Sequence, residues 1–168
     1  MITAAYCREM ARYNHWQNAN VATCVEAMSQ DDLRRDRGAF FGSILATLNH
    51  LLWSDAIWMC RWSSVEKPNG SAKDGLTLTT TGPDWVKARR ALDTAILDWT
   101  KGLTDDDIAG DLSWYSGLLK KDMTMDRRLC IMHFFNHQTH HRGQVHAMLT
   151  AAGRRPGDTD LFLMPADS

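Results

Sequence analysis

Between about Asp126 and Ala152 the apolar residues of this chain keep the period of an α-helix, until Gly153 supplies the residue on which helices commonly end. With His133 set at zero, Cys130 and Met148 both lie at about 60° around that helix and Phe134 at about 100°. His137 and His141 fall among them, at about 40° and 80°, in the middle of the apolar face. An apolar helix face has to be buried against other elements, so the rest of the chain must supply partners for it.

Three further segments have the same period. From about Thr3 to Met28 one face collects Tyr6, Met10, Tyr13, Val21, Cys24, Val25 and Met28, and Asn14 and Gln17 share it. "SQDDL" then breaks the helix. A second helix runs from an N-cap at Ser43 to about Trp62, with Ile44, Leu48, Leu51, Leu52, Trp58, Met59 and Trp62 on one side. Ala46, Trp53, Ala56 and Ile57 spread its apolar character around most of the circumference, which asks for cover on both sides, the second cover being another subunit. A third helix opens at Pro83 and carries Trp85, Leu92, Ile96, Trp99 and Leu103. Residues 63–82 form a long polar connection, 104–125 contain a short hairpin, and the tail "DLFLMP" docks back on the helices. These features predict an all-α protein: one domain over residues 1–168, a four-helix bundle with long crossover connections.

Composition removes several classes of function. The net charge of −1 and the absence of a basic stripe argue against nucleic acid as a partner. Cys7, Cys24, Cys60 and Cys130 are spread out without a C-x-x-C pair, against both a thiolate zinc site and a disulfide framework. No apolar run reaches membrane-spanning length and the N-terminus does not read as a signal peptide, so the expected location is the cytoplasm. No nucleophilic triad, phosphate loop or nucleotide fingerprint is present.

The stretch "HFFNHQTHHRGQVH" places five histidines between His133 and His146. His137 and His141, one turn apart, aim their imidazoles at one point, as metal-binding helices do. Gln138 stands where the metalloprotease motif needs glutamate, so that reading fails. His133, His140 and His146 lie off the centre of the face and read as boundary, solvent-facing or supporting residues, and Arg142, at about 180°, as a partner at a helix or subunit surface. A metal needs a third protein ligand. His15, His50 and a carboxylate are candidates; Cys130, seven residues before His137, lies roughly 10 Å away along the helix and is excluded. His50 belongs to a polar stripe with Ser43, Thr47, Ser54 and Arg61 that could face water or line a cleft between helices. Asp55 could orient a ligating histidine or pair with a buried arginine, and Asn14 and Gln17 could reach a substrate or bond across helices.

"ARYNHWQNANV", "SILATLNHLLWSDAIWMCRW" and "FFNHQTHHRGQVHAMLTAAG", in that order and spacing, resemble the DinB family of DNA-damage-inducible proteins. The resemblance spans essentially the whole chain, and its most specific element is the H-H-R-G-Q run preceded by a histidine four residues upstream. It implies a four-helix bundle holding one divalent metal ion per chain, zinc or nickel, on His50, His137 and His141. It further implies a homodimer, and families related to it activate a low-molecular-weight thiol. Induction by DNA damage comes with the family name alone. Three neutral imidazoles would leave a coordination position open, the pattern of catalytic rather than structural metal sites, and their borderline character suits zinc, nickel, copper or iron alike. The functions expected are thus a metal-dependent enzyme, a thiol S-transferase or a hydrolase, or else a non-catalytic stress-response protein stapled by its ion.

Overall fold

Each long helix starts on a side chain that takes up a free backbone N–H. In the computed structural model, which describes residues 1–166, Thr3 caps α1 (Ala4–Glu26) and Ser43 caps α3 (Ile44–Met59). Thr81 caps α4 (Gly82–Lys101) and Asp126 caps α5 (Arg127–Ala151). Such caps are worth about 1 kcal/mol each. Pro83 lies in the first turn of α4, and Gly153, with φ +74°, follows the last turn of α5. The structure adds to the sequence reading a fifth helix, α2 (Gln30–Arg34), capped by Ser29 inside the segment read as a break. Single 3-10 turns occupy Asp74–Thr77 and Leu161–Leu163.

The protein is mostly helical. α1 packs on α4 and α5, and α3 packs on α5 and α4. Between them Leu48, Trp85, Ile96, Ile131, Phe134, Phe135 and Leu149 are almost wholly buried. Burial of each such side chain is worth about 1.5–3 kcal/mol relative to exposure, so the shared core outweighs any single cap. The expected hairpin is present: β1 (Asp111–Ser116) pairs antiparallel with β2 (Lys121–Asp126), from Asp111 opposite Asp126 to Ser116 opposite Lys121. Asp126 therefore ends the hairpin and caps α5, which joins the two elements without slack.

The all-round apolar character of α3 finds much of its second cover in the chain itself. Gly75 of the 63–82 connection lies on Trp53 so closely that a Cβ there would come 2.6 Å from the ring. Asn49 anchors the connection: its Nδ2 donates to Leu76 O (3.1 Å) and Thr79 O (2.9 Å), and its Oδ1 accepts from Thr79 N and Oγ1. The C-terminal segment also returns. Tyr13 donates to Thr159 O, Gln17 to Asp158 O, and Arg12 to Pro165 O and Ala166 O. Its apolar side chains stay at the surface, Phe162 being 84% exposed.

A charged network crosses the interior. Arg89 of α4 bonds Asp55 of α3 at 2.7 Å and Asp93 at 2.8 Å. Asn18 donates to both Asp93 oxygens and Asn14 to one of them. Asn14 in turn accepts from Arg142 of α5. Burial raises the Asp55 pKa to about 6, although Arg89 pulls the other way. Burial also disfavours the Arg89 cation, but Asp93 and Asp55 outweigh it and raise its pKa.

Candidate metal centre

The polar stripe of α3 faces inward. Thr47 and Ser54, on either side of His50, are buried, and His50 itself is half-buried against α5. From α5 the one-turn spacing of His137 and His141 delivers both rings to the same place, with centroids 4.4 Å apart. The His50 ring lies 5.1 Å from that of His137 and 4.7 Å from that of His141. One nitrogen from each of the three falls within 4.8 Å of the others, a grouping able to hold a metal ion.

Two details test that fit. The Nε2 atoms of His50 and His137 are 3.2 Å apart. Two nitrogens bound at 2.0–2.1 Å to a tetrahedral ion are separated by about 3.3 Å, so this spacing, which is also that of an imidazole hydrogen bond, is compatible with a shared ion. Burial, followed by the field of His141, pushes the His50 pKa down to about 4. Burial, followed by the other histidines, pushes that of His137 down to about 3. His141 is lowered by burial too, against an opposing hydrogen bond to the Gln144 oxygen. Neutral imidazoles keep a lone pair for coordination, and the set fits a borderline divalent cation.

The surroundings hold the rings differently. His141 Nδ1 is 2.8 Å from Gln144 Oε1, which leaves Nε2 turned toward the cluster, and Gln144 Nε2 is 3.3 Å from His140 Nε2. A partner of this kind fixes tautomer and ring orientation. Among the described residues the buried Nδ1 atoms of His50 and His137 have no hydrogen-bond partner. Phe41 covers the cluster, its ring centroid 4.2 Å from that of His50 and 5.4 Å from that of His141. Beyond His137 the exposed His133 leans on Trp58, and Arg61 lies over both Trp58 and Trp114. Periodicity had no access to Phe41, which sits outside any helix. Gln144, three residues after His141, was within reach of the one-turn rule.

Other singled-out residues go elsewhere. Asn14 is buried in the charged network and Gln17 bonds the C-terminal segment. Among the described residues His15 is outside the three-histidine group, and its buried Nδ1 has no hydrogen-bond partner. Asp55 pairs with Arg89 rather than with a histidine ring. Arg142 corrects the sequence reading: instead of lying at a surface, it is 7% exposed and bonded to Asn14, because α5 is covered on both sides.

The sequence model of the DinB family matches residues 1–167. Among solved structures, a DinB-like protein from Bacillus cereus ATCC 10987 matches with a TM-score of 0.62 and 17% identity, over 85% of this chain and 90% of that one. At that identity the likeness concerns the fold. No curated protein matches the chain. Among the described residues no helix is long and apolar enough to cross a membrane.

Proposed function

Because the chain belongs to the DinB family, we propose that His50, His137 and His141 hold one divalent metal ion, zinc or nickel, and that the protein is a metal-dependent enzyme of the thiol S-transferase or hydrolase kind. The observation that carries the reading is the convergence of three neutral imidazoles from two helices within 4.8 Å, two of them spaced as an ion would space them. Three protein ligands leave a position open, and an ion bound there would supply Lewis acidity, lowering the pKa of a water or thiol. The chain's own residues do the positioning. Gln144 fixes the His141 ring, and Phe41 closes one side of the site against water.

In this reading the four long helices form a DinB-type bundle in the cytoplasm, acting as a homodimer with a small thiol as co-substrate. A non-catalytic staple is the competing reading, favoured by the way the cluster ties α3 to α5. Metal content measured by elemental mass spectrometry, beside thiol-transfer and ester-hydrolysis assays of the loaded protein, tests both. One ion per chain, lost in His50→Ala and His137→Ala together with turnover, is the expected outcome. One ion per chain without turnover on any thiol or ester leaves the staple, and no ion after loading with zinc and nickel ends both.

A further inference from the structure

A cavity of about 400 Å³ opens between α1, α5 and the C-terminal segment, and none of the three histidines lines it. Tyr13, Gln17 and Val21 form one wall, Arg142, Gly143 and His146 another, with Pro156 and Thr159 at the rim. Its size is that of small-molecule sites, which combine apolar walls with a few placed polar groups.

Arg142 gives the cavity its chemistry. The two buried carboxylates of the interior, Asp55 and Asp93, are both bonded to Arg89. Among the described residues Arg142 is hydrogen-bonded to the neutral Asn14 carbonyl and to no carboxylate. A buried guanidinium without an anion bonded to it is unusual, since buried charges are normally paired. Gly143 stands exposed inside α5 beside Arg142, and a Cβ there would meet nothing within 4 Å, so the bare backbone leaves room for a ligand along the helix.

We propose that this cavity binds a small, singly charged carboxylate, its carboxyl group on the Arg142 guanidinium and its apolar body along Gly143, Val21 and Pro156. One cation matches one negative charge, and a guanidinium can grip a carboxylate with two parallel hydrogen bonds. The site is separate from the three histidines, and its occupancy does not depend on a metal.

Titration of the full-length protein with benzoate, followed by backbone amide NMR, tests this. Benzamide serves as the neutral analogue and phosphate as the dianion. Saturable shifts are expected at Val21, Gly143 and Thr159, with benzamide and phosphate each weaker by at least about tenfold, the scale of one charge-assisted contact. Gly143→Leu, which fills the cavity but keeps the guanidinium, should weaken benzoate by at least about tenfold while leaving melting temperature unchanged or higher. Arg142→Gln should do the same wherever it folds, and His50→Ala or prior chelation should leave binding unchanged. No saturable shift, equal binding of benzamide or phosphate, or an undiminished Gly143→Leu overturns the proposal. Loss of binding in His50→Ala also overturns it, by placing the carboxylate on the histidine cluster.

Discussion

The network around Arg89 and the cluster around His137 both bury polar groups between helices, yet they are assembled from opposite materials. Arg89, Asp55 and Asp93 are charges of both signs, each bonded to another, 2–3% exposed and reinforced by two asparagines. His50, His137 and His141 are three like groups, kept neutral by burial, with two ring nitrogens that have no hydrogen-bond partner among the described residues. A cluster whose charges are complete within the chain is a structural element, even with the Arg89 Nε left unbonded among the described residues. One that gathers like groups with no counter-charge is suited to something brought from outside.

The largest effect should come from breaking the complete cluster. Arg89→Met strands two buried carboxylates and should cost about 3–5 kcal/mol in urea denaturation. A loss under 1 kcal/mol would mean that the network is not what closes the interior. Next comes completion of the other cluster. Zinc at a hundredfold excess over its dissociation constant should stabilise the protein by about 2.7 kcal/mol. His50→Ala and His137→Ala should abolish that gain in a thermal melt, and an undiminished gain would place the ion elsewhere. Gln144→Ala should weaken metal affinity by about 10–100-fold in a competition titration with a chromogenic chelator, because the His141 ring loses its orienting partner. Equal affinity would remove Gln144 from the site.

The last effect is in pH. The depressed pKa values of His50 and His137 mean that the unfolded chain takes up protons below about 6.5 that the metal-free native protein refuses until about 4 and 3. Their effect on stability is therefore absent above pH 6.5 and grows as an acid penalty below it. Asp55 acts with the opposite sign: its pKa is raised from 3.8 to about 6, so the native state holds a proton the unfolded chain releases, and stability falls as pH rises through that window. Metal-free wild type should thus lose more melting temperature between pH 7 and pH 5 than a His50→Ala/His137→Ala variant. Equal losses would mean that the histidines are as open to water in the native protein as in the unfolded chain.

Much of this was legible in the residues because long helices write their period plainly. Ser43, Pro83 and Gly153 marked helix ends where the structure has them, to within three residues. The His137–His141 pairing followed from the one-turn rule. His50 was legible as a polar stripe, but a period states only which residues share a face, not what the face meets. Arg142 was misplaced for the same reason: α5 is covered on both sides, so the side away from the histidines is interior too. Helix α2 has five residues, too few to establish a period, and Phe41 reaches the histidines from a turn that has none.

The mooring of the C-terminal segment has its own consequence. Arg12, Tyr13 and Gln17 grasp the carbonyls of residues 158, 159, 165 and 166, groups present in every amino acid. A clasp of that sort does not read side chains, so residues 158–163 are free to drift in evolution while their path stays put. The same indifference makes the exposed Phe162 a ready place to attach a reporter dye without altering the chain's hold on the segment.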